Sequence, residues 1–244
     1  MECKNCGNEF EGKFCNQCGQ KIVKGRFTIK DIIENFMHSF THLDSGILLL
    51  MKELFVKPGF VIKEYLNGKQ KKYFNPFQFL ILAIALATFL AIKFTLFGPN
   101  LNPDSIEGIN SQQRFWMLYN NFIYRNFNLI LFTNVPVTAL FTLLFFRKSG
   151  YNYAENLIFV TFLAGERMLI YILLTPLIYF TRSNWYIGIG IYYLLWSVYY
   201  GYAFVDFFGG NKILTVLKYF CVLVLLILSS QLMSISAFYL FFFK

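Results

Sequence analysis

The fold class is decided by the stretch LIFVTFLAGERMLIYILLTPLIYF, which occupies residues 157–180. Its 24 residues carry only two charges, on Glu166 and Arg167. About 20 consecutive apolar residues in a helix cross the roughly 30 Å of hydrocarbon in a bilayer. The stretch therefore predicts a transmembrane helix with a charged pair within its length.

Four further apolar stretches of similar length lie along the chain, at residues 77–97, 127–146, 185–205 and 213–232. The last one continues as an apolar tail to residue 243 and is interrupted by serines and Gln231. One long tilted span and a span followed by an interfacial tail both fit that pattern. Only 14% of the chain is charged, against about 25% in soluble domains. We expect an all-α integral membrane protein with about five transmembrane helices.

The charged residues are concentrated before the first apolar stretch. Residues 1–73, which we call the headpiece, hold 12 of the 22 Lys and Arg and 8 of the 13 Asp and Glu. We therefore divide the chain into a zinc ribbon at 1–21, amphipathic juxtamembrane helices at 27–73 and a transmembrane helical domain at 74–244.

The orientation is predicted by the basic residues between the apolar stretches, because short cytoplasmic loops carry an excess of Lys and Arg. If the N-terminus is cytoplasmic, that side holds the headpiece together with Arg147, Lys148, Lys212 and Lys218. The opposite side then holds Arg114, Arg125, Arg182 and Lys244. We expect a multi-pass protein of the cell (inner) membrane with its N-terminus in the cytoplasm and its C-terminus outside.

Four of the five cysteines form two C-x-x-C-G knuckles, CKNCG and CNQCG. A C-x-x-C turn lets two thiolates hold one ion, and the glycine after it suits a turn with positive φ. Disulfides would need an oxidising compartment, and a redox motif would be single and set in a βαβ pattern. We predict one structural Zn²⁺, without an open catalytic position, held by Cys3, Cys6, Cys15 and Cys18. We interpret Cys221, in an apolar stretch, as a small buried hydrophobe.

An amphipathic connector follows the cysteines. Thr28 and Asp31 form a capping-box pattern, and Phe27 and Ile32 occupy the hydrophobic-staple positions around it. Together they predict a helix that begins near Ile29.

Two more short helices are predicted at residues 46–56 and 60–66, the first of them ended by Pro58 and Gly59. The stretch at 46–56 is too short to span the hydrocarbon. We place it, together with the helix that begins near Ile29, in the membrane interface or against the cytoplasmic ends of the spans. Lys69, Lys71 and Lys72 follow the helix at 60–66. Such residues bind anionic lipid headgroups at about 1 kcal/mol each, or they only fix the orientation.

The two histidines define a second candidate site. His38 and His42 are four residues apart, on one side of a helix, and Asp44 follows them. Two histidines and a carboxylate are able to hold a metal. However, Ser39 stands where zinc hydrolases have a glutamate base, and polar interface residues are the alternative.

Glu166 and Arg167 form a candidate polar site in the membrane. Charges at mid-membrane depth cost at least about 2.5 to 3.5 kcal/mol each and usually face a bundle interior or an aqueous cavity. Gly165 before them permits a helix break, as in discontinuous transporter helices. The alternative is a structural ion pair in the helix bundle, with Asn128 or Asn134 as a partner.

The headpiece also resembles a family of uncharacterised bacterial membrane proteins, known only as a domain of unknown function. The matching segments are 3–20, 42–46, 54–59, 64–69 and 73–76, and include the tetracysteine pattern, HLDSG and EYLNGK. The resemblance covers about the first third of the chain. It implies a membrane protein with an N-terminal zinc ribbon and implies no activity.

Three functions fit the sequence. The preferred one is an adaptor or regulator that presents the ribbon to a cytoplasmic protein partner, since no catalytic set is recognisable. The first alternative is a transporter or lipid-handling protein with a polar site at Glu166 and Arg167. The second is a membrane metalloenzyme that uses His38 and His42. The lipid bilayer is a partner in each case, while the alternating charge signs of the headpiece argue against nucleic acid.

Overall fold

The computed structural model describes residues 1–21, 25–39, 47–94, 96 and 110–242. Within these ranges the chain forms nine α-helices and two isolated β-bridges. The helices are α1 (Ile29–Ser39), α2 (Ile47–Val56), α3 (Pro58–Leu66), α4 (Pro76–Lys93), α5 (Ser111–Arg125), α6 (Phe127–Phe145), α7 (Tyr153–Phe180), α8 (Trp185–Phe208) and α9 (Lys212–Phe242).

Three of the described helices are long and apolar enough to cross a membrane, namely Pro76–Lys93, Tyr153–Phe180 and Lys212–Phe241. The apolar part of α6, Leu129–Phe145, is shorter. The all-helical, membrane-compatible fold is thus confirmed, and length and composition single out three of the five predicted spans.

Helix α7 is the most buried of the three, and α4 lies parallel to it. The ring of Phe79, in the first turn of α4, occupies the space that a Cβ on Gly165 would fill. At the other end of the pair, the rings of Phe94 and Tyr179 are 5.5 Å apart. The helix break that Gly165 permits does not occur: α7 runs through this residue, and its missing side chain makes room for α4.

Helices α6 and α8 pack antiparallel to α7. The ring of Phe159 near the start of α7 is 5.0 Å from that of Phe204 near the end of α8, and Gly188 near the start of α8 packs closely on Ile178. The ring of Phe146, directly after α6, stacks 4.1 Å from that of Phe208. The ends of α6 and α8 and the start of α7 therefore share one end of the bundle.

Helix α9 is a single helix of 31 residues, about 46 Å long at 1.5 Å per residue. Its polar positions are paired with other helices, because Asn134 of α6 donates to Ser230 at 3.1 Å and the Tyr119 hydroxyl of α5 donates to Gln231 at 3.0 Å. The apolar stretch at 213–232 and the described part of its tail therefore form one continuous helix. Asn134 bonds to Ser230 there, in contrast to its predicted role beside Glu166.

The first headpiece helix begins at Ile29, where the capping pattern predicts it. The backbone N–H of Thr28 donates to the Asp31 carboxylate at 2.9 Å, and that of Asp31 donates to the Thr28 hydroxyl at 3.3 Å. Phe27 and Ile32 are both buried. These bonds satisfy two of the N–H groups that a helix start leaves without partners.

The break between α2 and α3 is bound to α8. The hydroxyl of Tyr202 donates to the carbonyl of Val56 at 2.7 Å, which satisfies a carbonyl at the end of α2. One turn further along α8, the Asp206 carboxylate accepts from the N–H of Gly59 at 2.7 Å, at the positive N-terminus of α3. A Cβ on Gly59 would overlap the backbone of Asp206, so only glycine permits this approach.

We predict that Gly59→Ala destabilises the protein by about 1–3 kcal/mol, the usual cost of forcing a methyl group into a packed contact. Thermal unfolding of the purified protein in detergent measures the loss. Gly190→Ala is the matched control, since Gly190 is helical and has open space at its Cβ position. Alanine normally stabilises a helix relative to glycine, so equal melting temperatures for both variants would contradict the close approach.

Candidate metal centre and buried charged pair

The two cysteine knuckles fold alike. The N–H of Gly7 donates to the carbonyl of Cys3 at 2.8 Å, and the N–H of Gly19 donates to that of Cys15 at the same distance. Gly7 and Gly19 have φ of 74° and 70°, the left-handed conformation that favours glycine. The glycine after each C-x-x-C pair thus has the role that the motif predicts.

The four sulfurs converge on one point. The Sγ atoms of Cys3 and Cys18 are 3.6 Å apart, as are those of Cys6 and Cys15, and all four lie within 4.8 Å of one another. A tetrahedral ion with metal–sulfur bonds of about 2.3 Å separates its ligands by about 3.8 Å. A disulfide would need about 2.05 Å, and all five cysteines are free. The donor set therefore fits one tetrahedral metal ion.

The electrostatics of the cluster favour a bound cation. The N–H of Cys6 holds the pKa of the Cys3 thiol below its usual range, and that of Cys18 lowers the pKa of Cys15 to about 6. At Cys6 the N–H of Asn8 also lowers the pKa, but burial and the three neighbouring sulfurs outweigh it and raise the value to about 12. The anionic sulfurs repel each other, and a cation removes that repulsion.

The cysteine module, residues 1–21, is attached to the loop before α4 through Gln20, whose exposure is only 5%. Its amide Nε2 donates to the carbonyl of Gly68, and its Oε1 accepts from the N–H of Lys71 at 3.2 Å. Gly68 has φ of 107° and lies against the Lys4 side chain. A side chain at Gly68 would therefore strain the loop and displace Lys4.

Two of the three predicted headgroup lysines pair within the headpiece. Lys69 and Lys72 both donate to the carboxylate of Glu64, the latter at 2.8 Å, and the Tyr73 hydroxyl donates to it at 2.7 Å. Burial alone would raise the pKa of Glu64, but these donors outweigh it and lower the value to about 2. Lys71 is exposed, and headgroup binding by the three lysines stays a prediction.

The histidine site falls largely on residues that the structure leaves undescribed. His42 and Asp44 lie outside the described residues, and for His38 only its position in α1 is given. The second metal site therefore stays a prediction.

Glu166 is buried in α7, with an exposure of 1%, and its Oε2 has no hydrogen-bond partner among the described residues. It directly follows Gly165, which contacts the first turn of α4. The charged pair is therefore level with the first turn of α4 and about halfway along α7. Its mid-membrane depth stays a prediction.

Arg167 points to α8. Its Nε donates to the Tyr192 hydroxyl at 2.8 Å, and its guanidinium carbon is 4.4 Å from the centroid of the Trp196 ring. Cation–π contact of this kind stabilises a desolvated guanidinium by about 2 kcal/mol. The two adjacent charges thus have different surroundings, as the roughly 100° between successive helix positions predicts.

One residue that the sequence analysis missed, Arg26, ties the connector to α7. Its guanidinium donates to both carboxylate oxygens of Glu155 and, at 2.6 Å, to the carbonyl of Gly150. Glu155 also closes a capping box with Asn152. The Asn-x-x-Glu spacing was visible in the sequence, but nothing there connects it to a residue 129 positions earlier.

Residues 44–88 match the model of a family described as protein of unknown function, DUF3667. No curated protein and no solved structure matches the chain.

The matched segment lies between the two candidate sites. It covers α2, α3 and most of α4, and it includes Gly68, which binds Gln20 of the cysteine module. It also includes Phe79, which contacts Gly165 beside the charged pair. The uncharacterised family segment therefore contacts the structure around both sites.

We predict one metal ion per chain, lost in Cys15→Ser because the cluster then has three sulfurs. Elemental mass spectrometry of the purified protein measures both content and identity of the metal. Cys221→Ser is the matched control, because Cys221 stands outside the cluster. The sequence predicts that Cys221 is buried, whereas the structure has it exposed on α9. Equal metal contents for the two variants would contradict the assignment of the ligands.

Proposed function

We propose that this chain is a multi-pass protein of the bacterial inner membrane that acts as an adaptor or regulator and presents a zinc ribbon to the cytoplasm. The observation that carries the proposal is the bonding of Gln20 to Gly68 and Lys71. A partner that binds the module thereby acts on the loop that leads into α4. The metal is Zn²⁺ in this proposal, since a closed set of four thiolates is typical of structural zinc sites.

In this proposal five helices cross the membrane, namely α4, α6, α7, α8 and α9. Helices α6 and α8 are packed lengthwise against α7, and α6 also contacts α9. A helix that lies along a membrane span shares its depth in the bilayer. The interior then satisfies the polar groups, while the exposed apolar side chains of α8 and α9 face lipid.

A cytoplasmic N-terminus is supported by the clustering of basic residues at the headpiece end. Lys218 of α9 lies 5.3 Å from the ring of Phe146, so the start of α9 is level with the end of α6. Arg147, Lys148 and Lys212 are in the same connections. Basic residues in short connections of this kind stay in the cytoplasm, and the C-terminus of α9 then lies outside.

We predict that a membrane-impermeant thiol reagent modifies the cysteine module from the cytoplasmic face only. The experiment uses the Cys221→Ser background, so that only the four module cysteines are counted, and strips the metal first because bound thiolates are protected. Inside-out vesicles should be labelled and sealed vesicles of the opposite orientation should not. Labelling of the external face would overturn the proposed topology.

The surface of the module suggests how it meets a partner. Phe14 is 59% exposed beside the buried Cys15, and aromatic residues of this kind are frequent anchors of protein interfaces. Phe14→Ala leaves all four ligands in place and changes only that surface.

We predict that cross-linked partner profiles from native membranes lose the same proteins in Phe14→Ala and in Cys15→Ser, whereas Cys221→Ser keeps them. Metal analysis of the same preparations verifies that Phe14→Ala retains its ion. Identical profiles for all variants would remove the module's role as a docking surface.

A second candidate function is transport or lipid handling around Glu166 and Arg167. It is favoured by the unpartnered Oε2 of Glu166, because buried polar atoms without partners are rare in proteins. The metalloenzyme alternative has no such observation in its favour.

A further inference from the structure

The carboxylate of Glu166 is surrounded on every side. On α7, Phe162 lies one turn before it and stands edge-on to Tyr65 of α3, with ring centroids 5.3 Å apart. Phe79 of α4 lies against the preceding Gly165. Glu166 itself is 1% exposed, and its Oε2 is buried away from water.

Among the described residues, no cation is paired with this carboxylate. None of the salt bridges between described residues includes Glu166, and Arg167 is bound to Tyr192 and Trp196 of α8. An isolated ionised carboxylate in an apolar site costs so much free energy that the group binds a proton or a cation instead.

The surroundings decide between these occupants. A metal cation such as Na⁺, K⁺ or Ca²⁺ needs several oxygen ligands, and among the described residues Glu166 belongs to no group of three or more acidic, histidine or cysteine side chains that could hold one. An organic cation would need an open aromatic face, and Arg167 already lies over one face of the Trp196 ring. A proton needs only the one carboxylate oxygen.

We propose that Glu166 is a proton-binding site, a carboxylic acid held neutral at the junction of the headpiece and the membrane spans. This proton site uses the same residue as the second candidate function, and it does not depend on the cysteine module. Release of the proton requires water at Oε2, and water reaches it only when α4, α8 or the α2–α3 pair moves away from α7. The packing of the headpiece on α7 therefore depends on whether Glu166 is neutral or charged.

The other ionisable groups around the site do not replace the proton. Those that face this part of α7 are Arg167 on the same helix, Tyr199 and Tyr200 on α8, and Tyr65 on α3. The sequence of α6 has no ionisable side chain, and that of α4 has only Lys93 at its far end. On α2 and α3, Glu53 and Glu64 bind Tyr73, and Lys63 donates to the Asp206 carbonyl.

Infrared difference spectroscopy of the full chain in lipid vesicles tests the proposal. The spectrum of the wild type minus that of Glu166→Gln should contain the C=O stretch of a carboxylic acid at neutral pH. The band should shift in D₂O and be lost at high pH, with a carboxylate band in its place. Glu11→Gln, at an exposed position of the cysteine module, is the control, and its difference spectrum should show only a carboxylate at neutral pH.

A carboxylate band at every accessible pH, without a C=O band, would overturn the proposal, and a response of that carboxylate to Na⁺ or K⁺ would assign the site to a metal cation. Should Glu166→Gln not fold, Glu166→Asp keeps the acid and must move the C=O band without removing it. The band should persist in Cys15→Ser, because the site is separate from the metal centre. A band without proton-coupled flux in the same vesicles removes the transport function and leaves the proton site intact.

Discussion

The close approach of Gly59 to Asp206 is the contact on which the arrangement of the headpiece depends. It gives the N-terminus of α3 a carboxylate and fixes the break between α2 and α3 against the last turns of α8. From this point α3 passes over the start of α7, where Tyr65 contacts Phe162. The chain then leaves α3 at the loop that receives Gln20. Together with the Tyr202–Val56 bond, this approach holds α3 on the bundle and so places both the cover over α7 and the loop that binds the cysteine module.

The charged groups of the headpiece are paired, either within the headpiece or with α7, whereas the carboxylate of Glu166 has no charged partner among the described residues. Glu64 accepts from two lysines and Tyr73, and Glu155 accepts from Arg26. Desolvation is offset at both sites by charged hydrogen bonds. Glu166 lies about 16 Å further along α7 than Glu155, at 1.5 Å per residue, and lacks such donors. The difference between these two glutamates on one helix is what distinguishes a structural carboxylate from a candidate functional one.

Local signals in the sequence predicted local structure well. The capping box at Thr28 placed the start of α1, and the two C-x-x-C-G knuckles placed four sulfurs on one point. Features that depend on distant contacts were not predictable. Gly165 looked like a helix break, because the sequence does not show that Phe79 fills its place. For the same reason the sequence does not show that Glu166 lies level with the first turn of α4.

The family segment at residues 44–88 connects the two candidate sites by a continuous path. Its loop at Gly68 binds the cysteine module, and eleven residues later Phe79 contacts Gly165, next to Glu166. Proline at the start of α4 and the Asn75 side-chain cap make this path stiff, because both fix the first turn of the helix. The loop that binds Gln20 and the turn that packs on Gly165 are therefore the two ends of one short segment. A partner that binds the cysteine module acts at the first of these ends, and the proton proposed for Glu166 is bound next to the second.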